Sequence, residues 1–200
     1  MSFAQFNTDL IIADMFPQDH VSSYLDVGCG DAVSGSNTYL FYLRGWSGLC
    51  LDPVPDHISS HKKERPRDTQ ILGCAGNFDG EIMFYECNEK TISTTSYSEA
   101  EKRKLSGQEI KSYMVPIFKL DTLLENEDHQ SFDIISIDTE GSELDVLLGY
   151  TKLAGKIIVV EACEPCSEEP SYDQWESILS HRGYEYARSA GVNRIYRKRD

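Results

Sequence analysis

Residues 24–53 read YLDVGCGDAVSGSNTYLFYLRGWSGLCLDP, and the order of apolar runs and glycines in this stretch decides the fold. A β-branched and aromatic run ends on Gly28 and Gly30. A helical pattern follows at 36–45, and a second apolar run ends on Asp52 and Pro53. Strand, glycine turn, helix and strand in that order predict a βαβ unit whose first turn approaches a ligand closely, since glycine presents no Cβ. A dinucleotide fingerprint needs a third glycine where the helix opens, and Val33 stands there instead. A pyrophosphate ligand is therefore disfavoured. An adenosine cofactor without phosphates, S-adenosylmethionine, needs only the close loop and an acid for its ribose. Asp52, at the end of the second strand, is where that acid is expected to accept both ribose hydroxyls.

The same alternation runs outward along the chain. Expected strands are 24–29, 48–53, 69–76, 81–87, 113–120, 132–138, 156–162, 184–189 and 193–198. Expected helices are 7–16, 36–45, 55–64, 121–126, 140–150 and 171–183. This pattern predicts one α/β domain over residues 1–200, with a mostly parallel sheet covered by helices on both faces. The polar stretch at about 88–112 is too long for a hairpin turn and is expected to be a mobile lid or insertion.

Totals narrow the function classes. A 200-residue chain with 40% hydrophobic and 26% charged residues is of single-domain size, and no run of about 20 apolar residues could span a bilayer. The formal charge of −14 opposes nucleic-acid backbones and anionic lipid, so neither is an expected partner. The first residues carry Asp9 and Asp14 and no basic start of a signal peptide, so a cytoplasmic location is expected. The six cysteines then read as reduced thiols, mostly small hydrophobes. Cys163 and Cys166 have redox or zinc-knuckle spacing, but no second pair accompanies them.

Open α/β sheets bind ligands at the carboxyl ends of their strands. The segments at those ends are 26–31, Asp52, 74–77 and 138–140, with Glu161 ending a fifth strand. The five histidines fall in helices or loops away from these ends, which leaves carboxylates to take a proton. Glu140 is expected to open a helix and share a sheet-facing stripe with Leu144 and Leu148, while Glu143 lies a quarter-turn away. Asp138 and Glu161, on adjacent strands, could hold a divalent cation through oxygen ligands. Cys74, Ala75 and Asn77 are expected to border adenine. Ser36 or Asn37 could cap the following helix, or its amides could receive the cofactor carboxylate.

Two stretches, DAVSGSNTYLFYLRGWSGLCLDPVPD and FDIISIDTEGSELDVLLG, resemble the FkbM-type family of S-adenosylmethionine-dependent methyltransferases. Asp138, Glu140, Gly141 and Glu143 match that family's DxEGxE motif, and weaker similarity runs to both ends of the chain. The chain departs from the pattern in having Gly28, Cys29 and Gly30 for the common GAN, Ala32 for a glycine and Asp52 for a glutamate. The resemblance implies the class I methyltransferase fold, a Rossmann-like, seven-stranded, mostly parallel sheet with helices on both faces and an antiparallel C-terminal strand, and O-methylation of a hydroxyl on a sugar or polyketide-like small molecule. A nucleotide-cofactor oxidoreductase and a catalytically silent cofactor-binding module are the alternatives. Expected cofactor contacts are Asp26, Gly28, Gly30, Asp31, Ser36, Asn37, Asp52, Pro53, Cys74, Ala75 and Asp138. Expected catalytic residues are Asp138, Glu140 and Glu161.

Overall fold

The structure, a computed structural model, describes residues 1–125, 131–163 and 170–199. Ten strands form among these described residues: β1 Ser23–Val27, β2 Ser47–Asp52, β3 Thr69–Leu72, β4 Cys74–Ala75, β5 Gly80–Cys87, β6 Ile110–Phe118, β7 Ile134–Ile137, β8 Ile157–Glu161, β9 Tyr184–Ala190 and β10 Asn193–Lys198. Seven of them make the main sheet in the order β3-β2-β1-β7-β8-β10-β9. The pairs β3–β2, β2–β1, β1–β7 and β7–β8 are parallel, and β10 runs antiparallel between β8 and β9. This is the expected sheet with its one reversed strand.

The central strands are buried end to end, which is why they read as continuous apolar runs rather than as alternating ones. The pleat still sorts their side chains. Leu25, Val27, Ile135, Ile137, Ile158 and Val160 face one core, while Tyr24, Cys50, Ile134 and Val159 face the other. The helices are α1 Thr8–Ala13, α2 Tyr39–Leu43, α3 Pro55–Glu64, α4 Tyr97–Leu105, α5 Leu120–Glu125, α6 Glu143–Leu148 and α7 Glu176–His181. Ile12 of α1 and Phe41 of α2 pack with the Tyr24 face; Val146 of α6 and Leu179 of α7 pack with the Leu25 face. Among the described residues no helix is long and apolar enough to cross a membrane.

Three expected elements differ. The run at 69–76 breaks at Gly73, whose amide bonds the Asp52 carbonyl at 3.0 Å, and β4 leaves the main sheet to pair parallel with β6. The strands β5 and β6 pair antiparallel with each other, so β4, β5 and β6 form a separate small sheet over Val54, Phe84, Val115 and Ile117. Periodicity marks a strand but not its partner, so the apolar pattern alone did not separate the two sheets. The third difference is the helix expected from residue 140, which starts at Glu143 because Glu140 and Gly141 both have positive φ, 55° and 104°. Residues between β5 and β6 include a short 3₁₀ turn, Lys90–Ile92, and α4.

Candidate active site

A cavity opens at the carboxyl ends of β1, β2, β7 and β8, where the crossovers diverge to opposite faces. Its first wall is the loop after β1. The amides of Gly28 and Cys29 donate to the Leu51 carbonyl at 2.9 and 3.2 Å, so the loop is tied to the end of β2. A Cβ on Gly28 would lie 1.7 Å from the Asp138 carbonyl oxygen, and only glycine lets the ends of β1 and β7 approach this closely. Asp31 accepts the amides of Val33 and Ser34 at 3.0 and 2.9 Å, which folds the loop back so that Ser34 and Gly35 line the cavity.

Asp52 stands at the end of β2, buried and on the cavity wall. Its Oδ2 accepts the Gly30 amide at 2.9 Å; its Oδ1 accepts the Val54 amide at 2.8 Å and faces His57 Nδ1 at 3.1 Å. His57 lines the same cavity, which corrects the expectation that no histidine reaches a strand end. The available signal was local. The turn after Asp52 is short, and Pro55 starts α3 at once, bringing a side chain of its first turn back over the strand end. Pro53, Cys74 and Ala75 line the cavity as expected, beside the apolar Val54 and Phe84. Asn77 does not; its amide donates to Asp145 Oδ1 at 2.7 Å on the surface.

Asp26, Ser36 and Asn37 are not brought to the cavity either. Asp26 is buried behind the loop, where it accepts the Thr38 hydroxyl, and burial raises its pKa to about 6 against the opposing pull of Arg65. Arg65, fully buried, reaches Asp68 at 2.7 Å, Thr38 Oγ1 at 2.8 Å and Ser36 Oγ at 3.2 Å. Ser36 Oγ also accepts the Tyr39 amide at 3.1 Å at the start of α2, but the N-cap position itself is Thr38, which makes no side-chain cap, so neither Ser36 nor Asn37 is the N-cap residue. Asn37 donates to Ser136 Oγ at 3.1 Å. These three residues hold the loop from behind.

The opposite wall is acidic. Oxygens of Asp138, Glu140 and Glu161 all lie within 4.8 Å of one another. Asp138 and Glu161 hydrogen-bond to each other, which requires that one of them carry a proton. Burial first, then repulsion from neighbouring carboxylates, pushes all three pKa values above the ordinary carboxylate range. Glu140 does not sit on a helical stripe; its left-handed backbone turns the side chain into this cluster, where Oε2 meets Arg103 Nη2 at 2.9 Å. Glu143 lies outside the cluster. Its Oε1 accepts Thr139 N and Oγ1, both at 2.9 Å, and Gly141 N at 3.2 Å, so it braces the turn that presents Glu140.

Residues 88–105 close the rim in a way that sequence reasoning did not resolve. Thr94 Oγ1 donates to the Glu140 carbonyl at 3.1 Å, Thr95 and Ser142 hydroxyls meet at 2.8 Å, and Lys90 pairs with Asp56. Cys163 Sγ lies 3.7 Å from Glu161 Oε1, and burial followed by that carboxylate raises its pKa to about 12. Its CxxC partner Cys166 lies outside the described residues.

The sheet order, the reversed β10 and a cavity set between an acid on β2 and carboxylates after β7 define the architecture of an S-adenosylmethionine-dependent methyltransferase. The chain belongs to the FkbM methyltransferase domain family, whose model matches residues 26–186, and its cofactor is S-adenosylmethionine. The fold is similar to the crystal structure of a TehB-like SAM-dependent methyltransferase from Corynebacterium glutamicum, with a TM-score of 0.52 and 13% identity over 96% of this chain and 87% of the other. It is also similar to methyltransferase FkbM from Methylobacillus flagellatus, with a TM-score of 0.56 and 13% identity over 98% of this chain. The present chain spans 48% of that protein's length. No curated protein matches the sequence.

Proposed function

We propose that this methyltransferase acts on a hydroxyl of a small molecule, a sugar or polyketide-like acceptor, and that the carboxyl cluster of Asp138, Glu140 and Glu161 takes up the proton. The observation that carries the reading is the close approach of these three side chains on the cavity wall opposite Asp52. Methyl transfer from a sulfonium is an in-line displacement, in which alignment and exclusion of water do most of the catalytic task. A hydroxyl acceptor also needs a base near neutral pH, and a carboxylate raised above its ordinary range is matched to that task. The cluster is half-buried, and a cationic sulfonium held beside it would favour its ionised form.

At the other end of the cofactor, Asp52 is assigned to the ribose. A carboxylate has roughly four lone-pair sites. Gly30, Val54 and His57 take three of them, which leaves Asp52 room for one ribose hydroxyl rather than the two expected from sequence. Gly28, Gly30, Ser34 and Gly35 would face the amino-acid end, and Val54, Cys74, Ala75 and Phe84 would border adenine. Residues 88–112 are assigned as a lid whose contacts meet the 140–142 turn.

The decisive experiment is a screen of hydroxylated acceptors for release of S-adenosylhomocysteine, paired with calorimetry of cofactor binding. S-adenosylhomocysteine should bind and NAD should not. Turnover of a hydroxyl acceptor, abolished in Asp138→Asn with cofactor affinity kept, supports the reading; turnover only with amine or thiol acceptors overturns the O-methylation part. Cofactor binding without turnover of any acceptor would make the chain a binding module. A second use of the same oxygens is ligation of a hard divalent cation, which their spacing also suits. Turnover that survives a chelator removes that alternative.

A further inference from the structure

Behind the cofactor loop lies a second constellation that methyl transfer does not use. Cys29 comes from the loop after β1, Cys50 from the middle of β2 and His61 from α3. Their thiol sulfurs and a ring nitrogen of His61 all lie within 4.8 Å of one another, and all three residues are buried. Cys50 Sγ donates to Asp68 Oδ2 at 3.5 Å.

The state of His61 is the second observation. Its Nε2 is 3.2 Å from the Gly30 carbonyl, an acceptor, so this nitrogen carries the proton and Nδ1 carries a lone pair. Among the described residues Nδ1 has no hydrogen-bond partner, although the side chain is wholly buried. An unsatisfied buried acceptor is unfavourable, and a metal ion that takes the lone pair would remove that cost. A neutral imidazole whose N–H is fixed on a backbone carbonyl is the usual arrangement of a histidine that ligates a metal.

We propose that Cys29, Cys50 and His61 bind a zinc ion that fastens the cofactor loop to β2 and α3. Two thiols and an imidazole are a soft donor set, which suits zinc and not magnesium or calcium. Zinc with bonds to sulfur of about 2.3 Å holds two sulfurs roughly 3.8 Å apart, so the two thiol sulfurs need draw together by no more than about 1 Å. Cys29 also lines the cofactor cavity, which supplies a path for the ion and an open fourth position. On binding, each thiol loses its proton to solvent and forms a bond to zinc: one Zn²⁺ enters, two protons leave, and no electrons move. The site is distinct from the Asp138, Glu140 and Glu161 cluster.

The test uses the full, reduced chain and does not depend on turnover, so its failure is separable from failure of the methyltransferase reading. Zinc titrated against a chromophoric chelator should bind with one equivalent and release two protons, and cobalt in its place should show thiolate-to-metal charge-transfer absorption. Cys50→Ser and His61→Ala should each weaken uptake at least tenfold, while Cys163→Ser should leave it unchanged. X-ray absorption of the zinc-loaded wild type, which needs no variant, should show two sulfur neighbours and one from imidazole. Wild-type uptake no tighter than that of Cys50→Ser, a cobalt spectrum without thiolate bands, or loss of the signal in Cys163→Ser would each overturn the proposal. So would a Cys29–Cys50 disulfide formed in air by a protein whose reduced form takes up no zinc.

Discussion

Gly28 meets the backbone of Asp138 so closely that a Cβ at residue 28 would sit 1.7 Å from the Asp138 carbonyl oxygen. The two residues end neighbouring parallel strands, and the Asp138 amide donates to the Val27 carbonyl at 3.0 Å. A side chain at 28 therefore strikes backbone, which cannot rotate away, and Gly28 also has a φ of 73°. Gly28→Ala is expected to lower stability by about 1–3 kcal/mol and to abolish S-adenosylhomocysteine binding. Gly30, with open space around its Cβ position, is the control. Gly30→Ala keeps the strain of a positive φ without the collision, so its loss of stability in urea melts should be the smaller of the two.

Asp52 organises the loop and, in the proposed reading, holds one ribose hydroxyl. Asp52→Ala should weaken S-adenosylhomocysteine binding by about 1.5–3 kcal/mol, the value of hydrogen bonds to a charged group. Calorimetry with analogues lacking one or the other ribose hydroxyl separates the two roles. If Asp52 touches the ribose, one deoxy analogue binds the wild type more weakly but binds Asp52→Ala no more weakly than the parent compound does. Equal affinity of wild type and variant for every ligand would remove Asp52 from the site.

The parts of this site legible in sequence are those that strand ends dictate. Buried parallel strands write themselves as apolar runs, so Asp52, Asp138 and Glu161 could be placed at strand ends before any coordinates. What the pattern does not carry is the long-range partner. Asp26 looks like Asp52 in sequence, yet Thr38 and the guanidinium of Arg65 draw it into the interior. Glu140 looks like a helix opener until the positive φ of Glu140 and Gly141 delays the helix to Glu143. His57, Lys90 and Thr95 reach the cavity only because α3 and the 88–105 segment fold over it, and no local period encodes that.

The carboxyl cluster makes stability depend on pH with a definite sign. Asp138, Glu140 and Glu161 are raised by burial first and then by neighbouring carboxylates, Glu143 for Asp138 and Asp138 for the other two. A carboxyl with a raised folded-state pKa contributes its stability below its unfolded pKa and loses it as pH climbs through the folded value. The cluster's own contribution to stability should therefore fall as pH rises from about 4 through neutrality, read as the difference between two proteins: relative to wild type, the Tm of Glu161→Gln should gain between about pH 5 and about pH 9. A steeper fall in the variant would contradict the assignment. The same logic predicts that the cationic S-adenosylmethionine releases more protons on binding than S-adenosylhomocysteine, read by calorimetry in buffers of different ionisation enthalpy.

Arg103 of α4 is fully buried, yet among the described residues only its Nη2 has a hydrogen-bond partner, Glu140 Oε2; Nε and Nη1 have none there. This pair joins the 88–112 segment to the turn that presents the proposed base, alongside the Thr94 contact with the Glu140 carbonyl. Removing one partner of a buried pair costs about 3–5 kcal/mol, but Glu140, already raised toward protonation, can take a proton and lessen that cost. The consequence is then local opening rather than global unfolding. Arg103→Met should be cleaved within 88–112 about tenfold faster than wild type, a loss of about 1.4 kcal/mol of local stability. S-adenosylhomocysteine should slow that cleavage in both proteins if the segment closes over the cofactor. Cleavage at other sites, or rates that neither the substitution nor the ligand changes, would show that the segment is a fixed wall and that Arg103 serves only to neutralise Glu140.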